Sequence, residues 1–143
     1  MVLIATSSES ISKASDLLKA GEIVVIPTET VYGLAANALD NSAVQKIFEA
    51  KQRPSFNPLI VHVLDAATAE KIAVFDDRAR KIVHAFWPGA LTLILPKKEN
   101  SGISNLVTAG LNTVAVRAPS QKTARAVLKE SGLPIAAPSA NSS

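Results

Sequence analysis

The sequence predicts a single α/β domain of the α+β type, a twisted mixed sheet flanked by helices. Three observations predict it. Short aliphatic runs, IVVI at 23–26, LIVHV at 59–63, LTLIL at 91–95 and TVAVR at 113–117, read as strands held inside a sheet. Segments with apolar residues at helical spacing lie between them. The 143-residue chain, 48% hydrophobic and 19% charged, is long enough to bury one substantial core and too apolar to be disordered.

Taken in order, residues 1–5 are a short apolar run that could add a strand. Ser8 or Ser10 can cap a helix that turns Ile11, Ala14, Leu17 and Leu18 inward, with Gly21 as its left-handed stop. The run 23–26 is four consecutive β-branched residues, which fits a strand covered on both faces. It stops at Pro27 and gives way to a polar turn, Thr28-Glu29-Thr30. Asp40-Asn41-Ser42 opens the next helix, with Val44, Ile47 and Phe48 on one face, and Ser42 and Gln45 have capping-box spacing. Pro54 should end it, because a residue before proline is pushed out of the helical region. After the strand at 59–63, Asp65 can cap a short helix reaching Ile72, and Asp76 a longer one with Ala79, Ile82, Val83 and Phe86. Trp87-Pro88-Gly89 breaks that helix before the strand at 91–95. Residues 96–112 are polar and turn-rich and predict a long loop, of the kind that binds ligands or moves. The strand at 113–117 ends on a cation. Ser120 can cap a helix carrying Ala124, Val127 and Leu128, stopped by Gly132 and Pro134, before a last strand at 135–137 and the turn Pro138-Ser139-Ala140-Asn141.

Composition excludes several classes. With no cysteine there are no disulfides and no thiolate metal sites, as in a cytosolic protein. No apolar run has the length of a membrane span, and the first residues lack the basic and long apolar regions of a signal peptide. A net charge of +3 suits an anionic ligand without demanding nucleic acid. No G-x-G-x-x-G, P-loop or G-x-S-x-G pattern occurs, and two histidines are too poorly accompanied to suggest a metal triad.

Several residues stand out from the apolar pattern. Lys51 and Arg53, two cations at i and i+2 around a helix end, can face a common anion, or can simply favour the helix carboxyl terminus. Thr28, Thr30 and Tyr32 follow a buried strand, where threonines often do no more than hydrogen-bond locally. Glu29 could bind magnesium or pair with Lys51. Alternation places His62 on the face opposite Val61 and Val63, and a lone strand histidine is usually a satisfied, half-buried residue. His84 reads as structural. Arg117, at the end of an apolar strand, needs an anion, from a side chain or from a ligand.

Five blocks in this order, PTETVYGL, KQRPSFNPLIVH, WPGALTLIL, TVAVRAP and PSAN, resemble the YrdC/Sua5 family of threonylcarbamoyl-AMP synthases over residues 21–141. The resemblance implies a YrdC-like fold with an open concave ligand-binding face, in one domain over 1–143 that lacks its carboxy-terminal part. It implies ATP-dependent synthesis of L-threonylcarbamoyl-AMP from L-threonine, bicarbonate and ATP, with release of pyrophosphate and Mg2+ accompanying the nucleotide, for t6A modification of tRNA. By the same resemblance Lys51, Arg53 and Ser55 contact the ATP phosphates, and Lys51 and Arg53 carry the catalysis. Thr113, Ser139 and Asn141 lie toward the nucleotide. Thr28, His62, Arg117 and the backbone of Ala137 form the L-threonine pocket, with His62 as a donor and Arg117 on the carboxylate. Downstream tRNA threonylcarbamoyl-transfer proteins would be partners, with weak RNA binding and no membrane. Two other readings compete: a carbamoyl-adenylate domain of the kind found in hydrogenase maturation proteins, and a non-catalytic RNA-binding module. Few aromatic residues are available as stacking platforms for the latter.

Overall fold

The structure, a computed structural model, describes residues 2–3, 7–27, 32–52 and 57–138. Its elements in chain order are β1 (Val2–Leu3), α1 (Ser8–Lys19), β2 (Val24–Pro27), β3 (Tyr32–Asn37), α2 (Asn41–Lys51) and β4 (Ile60–His62). There follow α3 (Ala66–Ala69), α4 (Asp77–Phe86), β5 (Leu93–Pro96), β6 (Thr113–Arg117), α5 (Lys122–Ser131) and β7 (Ile135–Ala137). The strands form one open sheet in the order β1-β2-β3-β7-β4-β6-β5. Two pairs are parallel, β1 with β2 and β4 with β6, and the other four are antiparallel, so the predicted mixed sheet is present. No helix among the described residues is long and apolar enough to cross a membrane.

The period-2 alternation of the strands divides the interior into two layers. Val61, Val114, Val116, Ala36 and Ala136 point to one side and pack with α2, α3 and α4. Val24, Ile26, Ala35 and Ile135 point to the other and pack with Ala14 and Leu18 of α1 and Val127 and Leu128 of α5. Each of these helices buries only one stripe, as its sequence spacing requires.

Several details differ from the sequence reading. Strand β3 was not expected, since Gly33, Ala35 and Ala36 have weak strand preference. It forms because it is paired on both sides, to β2 through Val24↔Ala35 and Pro27↔Tyr32 and to β7 through Ala36↔Ala136. β2 is fully covered on one face only, with Val25 and Pro27 half-buried, because it lies near the sheet edge. Pro27 is its last residue instead of a residue beyond it. Ser7, not Ser8 or Ser10, caps α1, and Ser10 supplies the amide that its hydroxyl accepts. Asp40 caps α2, taking the Ala43 amide, and so leaves Ser42 inside the helix. Gln121 caps α5 through its carbonyl oxygen in place of Ser120. Asp65 and Asp76 cap as expected.

Residues 97–112 form an irregular connection, as expected, but a packed one. Ile103, Ser104, Val107 and Thr108 are buried. The Ser104 amide donates to Ala38, the Leu59 amide to Val107, and the Ser104 hydroxyl to Asn41 Oδ1 at 2.6 Å. Lys97 Nζ reaches Asn105 Oδ1 and Thr108 Oγ1 across the same connection. This segment therefore completes the core beside α2 and holds the start of that helix.

Gly21 sits where α1 meets the start of α2. Its φ of 86° disfavours any side chain, and a Cβ there would lie 2.9 Å from Asp40 Oδ2, the carboxylate that caps α2. Gly21→Ala should therefore lower stability by about 1 kcal/mol or more, read as the shift of a urea unfolding midpoint. An unchanged midpoint would show that the α1–α2 junction relaxes freely.

Candidate functional site

Strands β4 and β6 run side by side in parallel, and their register places His62 directly beside Arg117. Both residues end their strands. Val61 and Val116, the residues just before them, turn into the α2 side of the core, so His62 and Arg117 face the opposite side. There they line a hollow with Ile26, Pro27, Pro119, Ala124, Leu128 and Ile135. The hollow is small, about 10 Å3, room for about one water molecule. A larger ligand must widen it or approach from its outer side.

His62 is 4% exposed and donates from Nδ1 to the Ile60 carbonyl at 3.2 Å. A carbonyl only accepts, so in the neutral ring this bond leaves Nε2 as an acceptor. Arg117 is half-buried, and its Nε donates to Thr92 Oγ1 at 2.7 Å. Thr92 comes just before β5, so this contact ties the turn that follows α4 to the end of β6. The sequence reading took Thr92 for one more strand residue. A polar residue inside an apolar run was the only signal it gave.

Beyond the hollow the same face is exposed over Ile94 of β5 and Thr113 of β6, whereas on the β7 side Ala137 and Ile60 are buried. Ala137, expected at the threonine pocket, is the last residue of β7 and shares the His62 face by alternation, paired with Ile60. Thr113 lies at the opposite end of β6 from Arg117, roughly 13 Å along the strand, and is exposed. Helices α1 and α5 stop short of this part of the sheet, leaving Ile94 of β5 71% exposed beside Ala115. An uncovered strip thus runs from the hollow toward Thr113, consistent with the open ligand face expected from the sequence.

Lys51 is the last residue of α2 and forms no ion pair among the described residues. Gln52 then turns left-handed, with φ at 51°, so the chain leaves the helix one residue before Arg53 and two before Pro54. Tyr32 opens β3 opposite Pro27 and is exposed. Thr28, Glu29, Thr30, Arg53, Ser55, Ser139 and Asn141 lie outside the described residues. Among the described residues no group of three or more His, Asp or Glu is placed to hold a metal ion.

A second, wider hollow of about 360 Å3 opens between α3, α4 and α5, lined by Asp65, Glu70, Arg80, His84, Trp87 and Arg125. Its charges are spent within the protein. Arg80 binds Glu70 Oε1 through Nε and Nη2, and Arg125 donates to the Pro119 carbonyl. Asp65 accepts the Thr68 amide and hydroxyl, which hold its carboxyl below the ordinary value of 3.8. A depressed folded value means that this cap contributes its stability above the ordinary carboxylate range and loses it as pH falls through the folded value. The gap in unfolding midpoint between wild type and Asp65→Asn should therefore be steady near about pH 7 and close toward about pH 3. A gap that does not depend on pH would remove the charge from the account of this cap.

Fold and site together define an open-sheet α/β domain with an arginine and a histidine presented side by side from parallel strand ends. A family model described as Telomere recombination (Sua5/YciO/YrdC) matches residues 16–143. The chain is 53% identical over 139 residues to threonylcarbamoyl-AMP synthase of Bacillus subtilis, covering 96% of this chain and 40% of that protein. It is 49% identical over 129 residues to threonylcarbamoyl-AMP synthase of Pyrococcus abyssi, covering 90% and 37%. The crystal structure of Pyrococcus abyssi Sua5 complexed with L-threonine superposes with a TM-score of 0.90 at 46% identity, covering 99% of this chain and 42% of that one. The chain belongs to the Sua5/YciO/YrdC family. It spans about 40% of the length of these relatives.

Proposed function

We propose that this domain binds L-threonine at the His62–Arg117 hollow and, with ATP on the adjoining strip, makes L-threonylcarbamoyl-AMP for t6A modification of tRNA. The observation that carries the reading is the register of β4 and β6, which sets an arginine beside a histidine on one face. An amino acid offers complementary groups: a carboxylate for a guanidinium, and N–H or O–H donors for an imidazole nitrogen. The relatives named threonylcarbamoyl-AMP synthase and the threonine complex of the Pyrococcus abyssi protein support the same choice.

In this reading the threonine amine combines with bicarbonate, releasing water, to give an N-carboxylate. An oxygen of that carboxylate attacks the α-phosphorus of ATP, the bond to the β-phosphate breaks, and pyrophosphate leaves. The nucleophile already carries its charge, so no protein base is required at the phosphoryl step. The protein's work is to hold anions in line and offset charge as it develops. Lys51, at the end of α2, and Arg53 just beyond it are the cations assigned to the phosphates, with Ser55 in the same segment. Thr113, Ser139 and Asn141 are assigned to the nucleotide, and Thr28 and the Ala137 backbone to threonine. Mg2+ would arrive with the nucleotide, and the t6A product chemistry would fall to downstream tRNA threonylcarbamoyl-transfer proteins.

Lys51→Ala should cost about 2–4 kcal/mol of transition-state stabilisation, measured as threonine-dependent pyrophosphate release, while the unfolding transition stays in place. Undiminished turnover in a Lys51→Ala, Arg53→Ala double variant would overturn the phosphate assignment. Arg117→Lys keeps the charge but loses the planar fork, so affinity for L-threonine should fall while affinity for an ATP analogue holds. Loss of the folded state in that variant would make Arg117 structural instead.

A further inference from the structure

We propose that Thr92 is a positioning residue for amino-acid recognition, setting the plane of the Arg117 guanidinium. The inference rests on the reading that Arg117 takes the carboxylate of threonine. A guanidinium has two edges that can bind a carboxylate bidentately, Nε with one Nη and the Nη pair. Thr92 Oγ1 accepts from Nε at 2.7 Å, which engages the first of these edges and fixes the plane in which the guanidinium lies.

Thr92 can do this because its own backbone is held from several sides. The Trp87 indole donates to the Leu91 carbonyl at 2.8 Å, closing the turn just before Thr92. The Trp87 ring packs edge-on against Phe75, centroids 6.4 Å apart, which anchors that turn in the core. The Gly89 amide donates to Ala118, the residue directly after Arg117, at 2.8 Å. A Cβ on Gly89 would meet the Phe86 carbonyl oxygen at 2.6 Å, so this close turn requires glycine. Beyond Thr92, β5 is fixed to β6 by antiparallel pairing from Leu93↔Val116 onward. The hydroxyl is therefore delivered from a segment clamped at both ends to the strand that carries Arg117. A threonine here is worth more than a valine of the same shape only because of its oxygen.

The test is calorimetric titration of the full chain with L-threonine and separately with an ATP analogue, in wild type, Thr92→Val, Thr92→Ser and Arg117→Lys. Thr92→Val should weaken threonine by about tenfold, the scale of one charge-assisted hydrogen bond, and leave the ATP analogue unchanged. Thr92→Ser should restore threonine affinity. The Arg117 Nε–H proton resonance should move in Thr92→Val and keep its wild-type position in Thr92→Ser. If Arg117→Lys weakens threonine but Thr92→Val does not, the positioning role is wrong and the carboxylate reading stands. If Arg117→Lys leaves threonine affinity intact, or wild type does not bind threonine, the carboxylate reading falls and this inference with it. Equal weakening of both ligands by Thr92→Val, or no rescue by serine, would reduce Thr92 to a packing residue.

Discussion

The parallel pairing of β4 with β6 is the constraint on which the rest of the structure depends. Each strand is short, and each has to satisfy two faces at once. Val61, Val114 and Val116 are buried against the α2 side, and that burial fixes the register. With the register fixed, His62 and Arg117 can only emerge together on the other face. A slip of one residue would bury the arginine among valines and expose a valine at the hollow. Desolvating an unpaired guanidinium costs far more than leaving an aliphatic side chain in water, so the register is strongly specified. The hydrophobic core and the His62–Arg117 hollow are two sides of the same pairing.

The surrounding elements then act on that pair. β7 runs antiparallel on the far side of β4 and supplies Ile135 and Ala137 to the face of His62. α5 closes one wall of the hollow with Ala124 and Leu128, and α1 packs beside α5 on the same face of the sheet. Past β6 the helices stop, and the sheet is left bare over Ile94 and Thr113. That asymmetry leaves a partly enclosed hollow beside an open strip of sheet. The 97–112 connection stays away from this face and packs into the α2 layer, where its hydrogen bonds to Ala38 and Leu59 hold it.

Much of this was legible in the sequence, and the exceptions have physical causes. Continuous β-branched runs announced β2 and β4, and β6 and β7 fell at their expected bounds. The helices followed from their apolar stripes, with caps displaced by one to three residues where two polar neighbours competed for the same amides. β3 was missed because its alanines and glycine carry no strand preference; pairing on both sides supplies what propensity lacks. The burial of Ile103 and Val107 was missed because isolated apolar residues in a polar segment show no period, and their partners are distant in sequence. At the site, His62 and Arg117 were each conspicuous, and the face of His62 followed from alternation. Their adjacency and the Thr92–Arg117 contact are tertiary, since residues 92 and 117 meet only once β5 and β6 pair.

The most direct test of the account is whether His62 and Arg117 respond together to one ligand. The chain has only two histidines, and His84 lies exposed on α4 as an internal control. Nitrogen-resolved spectra of the imidazole and guanidinium groups, recorded while L-threonine is added, report on both residues at once. The account predicts that His62 Nε2 and Arg117 Nε shift along one saturating curve with a shared dissociation constant, while the His84 ring does not move. Saturation with threonine that leaves the His62 and Arg117 signals in place, with shifts elsewhere, would contradict it.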